Sequence, residues 1–203
     1  TSLYKLASLQ AQAGNTGEAE GSLHKLIKQF PDDKSIVRRC RFSLSQIYVE
    51  QGDIAKGERV LEEVFAEEPD NPSVNNDLGY LYADQGKKLD QAEKMIRKAL
   101  KADPENSAYL DSMGWVLFKQ GKYTEALGFL KKASADRDGE DATILDHLGD
   151  CLEKLKQKKP AIKNWKKALE VARKAERPDK KLIERIEKKL KDAGQKAKPP
   201  KKK

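Results

Sequence analysis

A short text repeats itself along this 203-residue chain, and the repeat limits the fold more than any other feature. Leu78-Gly79-Tyr80-Leu81-Tyr82 returns 35 positions later as Met113-Gly114-Trp115-Val116-Leu117, and 35 later again as Leu148-Gly149-Asp150-Cys151-Leu152. Gly86 and Gly121 follow the first two copies. Ala92/Ala99, Ala126/Ala133 and Ala161/Ala168 follow all three, and Pro104 closes the first. Upstream, Leu44-Ser45-Gln46-Ile47-Tyr48 precedes Gly52, Gly57, Leu61, Val64 and Pro69. At the start, Leu6-Ala7 precedes Gly14, Ala19, Leu23, Leu26 and Pro31. Five units thus run at spacings of about 34–38, the signature of stacked structural repeats.

Each unit divides into two runs of helical periodicity around a short turn. In the fourth, Leu110, Met113, Leu117 and Phe118 stripe the first helix, and Ala126, Leu127, Leu130 and Ala133 the second. Gly121 stands where the first helix must stop with positive φ. Thr124 reads as the cap of the second helix, as does Asp90, with Glu93 three residues on, in the third unit. Asn71-Pro72 reads as an N-cap followed by proline at N1. Gly114 and Ala126 face each other, so that two helix backbones approach closely. A single helix pair leaves an apolar face open, which only stacked neighbours cover. Composition agrees: 37% apolar against 36% charged residues is lean for one round core but enough for a thin core shared between layers.

The pattern resembles the tetratricopeptide repeat (TPR): Leu-Gly in the first helix, Tyr or Leu three positions after the Gly, a turn glycine, an alanine in the second helix and a closing Ala and Pro. The resemblance covers residues 1 to about 175 and is fullest in units three and four. Unit one is weak. Unit two carries Ser45 and Gly57 at the small positions, unit three has an extra residue near Lys88, and unit five has Lys156 for the turn glycine. The run NNDLGYLYADQG…DSMGWVLFKQG…DHLGDCLEK looks like TPR segments of bacterial cell-envelope proteins, some of them lipoproteins. The resemblance implies an all-α, right-handed α-α superhelix, a solenoid of about five hairpins at about 1–37, 38–71, 72–106, 107–141 and 142–177. Residues 178–193, with Leu182, Ile183, Ile186 and Leu190 on one face, are expected to form an amphipathic capping helix over the last repeat. Residues 194–203, without an apolar face, are expected to be a disordered lysine-rich tail. The opening residues read as mid-helix, so the chain is expected to be cut from a longer protein, and its compartment, bacterial envelope or cytoplasm, stays open.

Chemistry is sparse. There is no Gly-x-x-x-x-Gly-Lys-Ser/Thr, no Gly-x-Ser-x-Gly and no Cys-x-x-Cys. His147 and Cys151 share a helix face beside Asp150, but two ligands on one helix are at most half a zinc site, and His24 lies far along the array. Cys40 and Cys151 belong to different layers and are expected to be free thiols. No enzyme, metal or cofactor is expected. No window approaches a membrane-spanning apolar run.

What remains is surface. In the TPR family the first helices line a concave face. Carried across residue by residue, that face is Tyr4, then Phe42, Gln46 and Val49, then Asn76, Tyr80, Ala83 and Asp84. Asp111, Trp115, Phe118 and Lys119 come next, and then Asp146, Asp150 and Glu153. Aromatics among carboxylates suit a peptide with apolar and basic residues. The family's clamp for a C-terminal carboxylate, built from Lys, Arg and Asn, is not expected where Asp111, Asp146 and Asp150 stand. The expected role is therefore a protein-interaction scaffold. Trp115, next to the packing glycine, is expected to look into the groove as an exposed hot spot, its truncation to alanine weakening a ligand by about 2 kcal/mol with little loss of fold. Charge leaves an alternative. Residues 153–203 hold 21 basic and 7 acidic side chains against 20 and 26 elsewhere, so this end could instead meet nucleic acid or an anionic membrane. The groove could also hold the chain's own termini or a second copy.

Overall fold

The computed structural model describes residues 2–135 and 141–196. Among them all regular structure is helical: α1 Ser2–Gln12, α2 Thr16–Gln29, α3 Lys34–Gln51, α4 Ile54–Glu67, α5 Pro72–Asp84, α6 Leu89–Ala102, α7 Ser107–Lys119, α8 Tyr123–Ala133, α9 Ala142–Lys154, α10 Lys158–Lys174 and α11 Lys180–Lys196. The chain falls into two compact units, Thr1–Leu81 and Tyr82–Lys203, with the boundary inside α5.

In the first unit α1 packs on α2, α2 on α3 and α3 on α4. Ala7, Ala19, Leu23, Leu26, Cys40, Leu44, Ile47 and Tyr48 form one buried cluster, supported by Leu3, Tyr4, Ile27 and Phe30 at its edge. In the second unit α7 packs on α8, α8 on α9, α9 on α10 and α10 on α11. Its largest fully buried side chains include Trp165, Met113, Leu117, Leu130 and Ile186.

Helix ends follow from local chemistry. Asp33, Asp53, Asn106 and Asp141 each accept a hydrogen bond from a first-turn amide of the helix they open. Asn71 does so for Ser73 and Val74, with Pro72 at the first helical position. Two expected caps are corrected. The residue ahead of α8 is Lys122 and that ahead of α6 is Lys88, neither making a side-chain cap bond, so Thr124 and Asp90 lie inside the first turn. The extra residue at Lys88 shifts the third turn: its backbone is left-handed at φ 48°, and its side chain reaches the Tyr82 hydroxyl at 3.1 Å. Gly121 ends α7 at φ 80°, as expected, and Lys156 holds the equivalent place in the last hairpin at φ 62°.

The small residues set the approach inside each hairpin. A Cβ on Gly114 would stand 2.5 Å from Leu130 Cγ and 3.3 Å from the Ala126 carbonyl. A Cβ on Gly149 would run into the Trp165 indole, and one on Gly57 would meet Val49 Cγ2 at 2.9 Å and the Ser45 carbonyl at 3.0 Å. Ser45 makes up for its own polarity by donating its hydroxyl to the Gly57 carbonyl at 2.9 Å. In α11, Leu182 and Ile186 are buried. The helix runs through Gly194 to Lys196, so the first residues of the expected tail are helical; one glycine near a helix end costs only about 1 kcal/mol. Residues 197–203 lie outside the described ones.

Two outcomes follow for thermal or denaturant unfolding. Gly114→Leu forces side chains into occupied space and lowers stability by about 1–3 kcal/mol or more. An unchanged melt contradicts the close approach. Lys156→Gly relieves a left-handed non-glycine residue and raises stability by about 0.5–1 kcal/mol.

Candidate functional site

The first unit contains an open cleft of about 490 Å³. Helix periodicity builds it. Phe42, Gln46 and Val49 at i, i+4 and i+7 form one face of α3, and Asn76 and Tyr80 at i, i+4 form one face of α5. Tyr4 of α1 closes one end, and Leu61 and Leu81 contribute apolar floor. The Tyr4 hydroxyl pairs with Ser43 Oγ at 3.0 Å, and the Arg39 guanidinium lies 4.3 Å over its ring. Two other basic groups of α3 are engaged at the end of α4: Arg38 with Glu68, just past the helix, at 2.8 Å, and Arg41 with Glu67 at 2.7 Å. Asn76 is 6% exposed; its Nδ2 donates to Asp77 Oδ1 at 3.0 Å, while its Oδ1 is buried without a hydrogen-bond partner. Burial pushes the Asp77 carboxyl up from the ordinary aspartate range, against the opposing hydrogen bond from Asn76.

The second unit treats its share of the expected residues differently. Trp115 is 8% exposed. Its indole stacks on His147 at 3.8 Å and 12° and on Phe118 at 4.9 Å and 4°, and its N–H donates to Asp84 Oδ1 at 3.1 Å. Lys119 Nζ sits 4.8 Å over the same ring and donates to the Asp84 carbonyl. Asp111 is buried against His147, Nδ1 to Oδ2 at 3.0 Å. Asp146, fully buried, receives Arg185 at 3.0 Å and Lys189 at 2.7 Å from α11. Asp150 accepts the Trp165 indole N–H at 3.0 Å and pairs with Lys189 at 2.7 Å. Burial raises the Asp150 carboxyl, with Lys189 opposing.

The exposed hot spot expected at Trp115 is therefore corrected: the indole is an internal wedge joining α5, α7 and α9. The neighbouring carboxylates are spoken for, Asp111 by α9 and Asp146 and Asp150 by α11. Phe42, Asn76, Tyr80, Tyr4, Gln46 and Val49 come together at the cleft instead. Sequence reading does not single out Asp77 or Ser43. Each sits beside a residue that it does name, and helical periodicity alone does not say how far a position one step round the helix turns into a gap.

The remaining reactive groups are quiet. Cys40 and Cys151 are free and buried. Burial raises both thiols, that of Cys151 to about 11, which keeps it protonated at neutral pH and a poor nucleophile. Among the described residues no group of three or more His, Cys, Asp or Glu side chains is placed to hold a metal. No helix there is long and apolar enough to cross a membrane.

Helical hairpins joined by left-handed turn residues and closed on Gly/Ala contacts define a class of repeat protein, and comparison with known proteins names it. Tetratricopeptide-repeat family models match residues 48–115 and 1–33, and the model for anaphase-promoting complex, cyclosome, subunit 3 matches residues 85–168. The TPR protein TTC0263 of Thermus thermophilus superposes with a TM-score of 0.72 at 20% identity, over 93% of this chain and 97% of that one. MamA of strain AMB-1 gives 0.58 at 26% identity over 86% and 100%, and MamA of Desulfovibrio magneticus RS-1 gives 0.61 at 16% over 87% and 97%. No curated protein sequence matches the chain. The chain is a tetratricopeptide repeat protein with the all-α fold of a TPR solenoid.

Removing the Trp115 indole empties a packed, hydrogen-bonded site. Trp115→Ala is expected to destabilise the second unit by about 3–5 kcal/mol in denaturant unfolding. A loss below about 1 kcal/mol contradicts its structural role.

Proposed function

We propose that this TPR protein is a non-enzymatic interaction scaffold that holds an extended segment of a partner protein in the cleft between α1, α3 and α5. The observation that carries the reading is the contrast between the two sets of residues. Seven candidates, Asp84, Asp111, Trp115, Phe118, Lys119, Asp146 and Asp150, contact one another or nearby helices of their own unit. Phe42, Asn76 and Tyr80 line an open volume with aromatic walls, the kind of concavity that supplies binding energy through a few large anchors. The TPR family, typically non-enzymatic, supports the scaffold role, and the protonated, buried thiols agree with it.

The alternative, an anionic surface held by residues 153–203, gains less support. Arg185 and Lys189 are engaged with Asp146 and Asp150, and Arg173 with Glu187 at 2.6 Å. A tail-driven complex would also weaken steeply with salt.

Phe42→Ala is expected to weaken a partner peptide by about 2 kcal/mol in a calorimetric titration while the second unit's unfolding stays unchanged. Affinity indifferent to Phe42 and lost on removing residues 194–203 would place binding at the basic end instead.

A further inference from the structure

Asp77 and Asn76 are arranged at a cost to the fold. An aspartate whose carboxyl is raised by burial makes the native state less stable at neutral pH than a neutral residue would, because folding must desolvate its charge. Among the described residues no cation reaches it; its partner is the amide of Asn76. That amide in turn leaves a buried acceptor, Oδ1, with nothing to accept from. Two neighbouring acceptors thus sit at the edge of a cleft walled by Tyr4, Phe42 and Tyr80, an anionic one whose donor is a neutral amide and a second with no donor at all. Buried polar groups in folded proteins are nearly always satisfied, and an exception inside a cavity points to a missing ligand.

Building on the cleft reading above, we infer that the cleft selects a basic side chain of the partner peptide. Its aliphatic stem lies on the aromatic walls, and its cationic head donates to the Asp77 carboxylate and to Asn76 Oδ1. A lysine ammonium has three donors and a guanidinium five, and neither carries an acceptor, so either matches two acceptors. The ring faces favour a cation over a neutral group, as Arg39 already shows at Tyr4. The surroundings point the same way. Residues 1–81 hold 13 acidic and 9 basic side chains, so the unit as a whole draws basic segments toward it. An acidic peptide would set a carboxylate against Asp77.

The test uses the full chain to select from a random twelve-residue peptide library, followed by titration of the synthesised winner. The enriched peptides are expected to share a lysine or arginine beside an apolar residue. Replacing that residue by norleucine weakens binding about tenfold or more, the loss typical of a hydrogen bond to a charged group. Asp77→Asn costs a similar factor, and the norleucine peptide loses little further on that variant, which places the two groups in contact. Asp77→Asn melts at or above the wild-type temperature; should it fail to fold, the norleucine peptide alone carries the test. Peptides that enrich without a basic residue, or that ignore Asp77→Asn but are lost with Phe42→Ala, overturn this inference and keep the cleft. No enrichment, or binding indifferent to Phe42→Ala, removes both. A chain that dimerises only when residues 197–203 are present has its own lysines in the cleft, and the separate partner falls.

Discussion

Close backbone approach inside each helical hairpin is the constraint on which the rest depends. Gly114 against Leu130 and Ala126, Gly149 against Trp165, and Gly57 against Ser45 leave no room for even one methyl group. With the backbones this near, the larger side chains of the same helices are pushed outward to the next layer. Leu117, Met113 and Ile96 are fully buried. The chain thereby folds with few large residues: alanines at 92, 99, 126, 133, 161 and 168 are each buried to within 2% of completely. Dispersion contacts at native density take the place of a thick apolar centre.

The same geometry decides which surfaces stay open. In the second unit the residue after the packing glycine, Trp115, turns toward α9 and meets His147, so a position that could have faced solvent is consumed by packing. The final hairpin repeats the solution with other means, as α11 brings Arg185 and Lys189 down onto the carboxylates of α9. Buried acid groups there are matched by cations, and the site is finished. In the first unit the equivalent positions carry Phe42, Gln46, Asn76 and Tyr80, and no described helix of that unit fills the space they enclose. Asp77 and Asn76 keep polar capacity that nothing described nearby uses. Each unit leaves one buried amide oxygen without a partner, Asn76 Oδ1 in the first and Gln120 Oε1 in the second, but Asn76 lines the open cleft, and a polar group left unsatisfied beside a cavity is the usual mark of a surface kept for binding.

Much of this is legible in the sequence because it is written as period and as small residues. Glycine and alanine at fixed offsets report backbone proximity, and turn glycines report positive φ, so Gly114, Gly149 and Gly121 announce the hairpins directly. Lys156 is legible only as a break in the pattern; its left-handed backbone and the turn hydrogen bonds of Lys156 and Gln157 to Glu153 and Leu152 show that the turn geometry is kept without a glycine. Caps are less legible. Asp90 and Thr124 are good capping types, yet the helices already begin at Leu89 and Tyr123, behind Lys88 and Lys122, which make no side-chain cap bond. The site is half legible. Periodicity names the face of a helix but not whether the facing layer has a His147 to cover it, and for that reason Trp115 reads as exposed when it is not. Asp77 escapes notice because its role comes from burial and an orphaned neighbour, neither of which a sequence displays.

The most direct measurement of the account is an NMR map of a selected peptide titrated into the isotope-labelled chain. The two tryptophan indole N–H signals, held by Asp84 and Asp150, serve as internal reporters of the second unit. Amide and side-chain signals of Phe42, Gln46, Asn76, Asp77 and Tyr80 are expected to move while both indole signals stay in place. Movement of the Trp115 indole, with residues 42–80 unchanged, would contradict it.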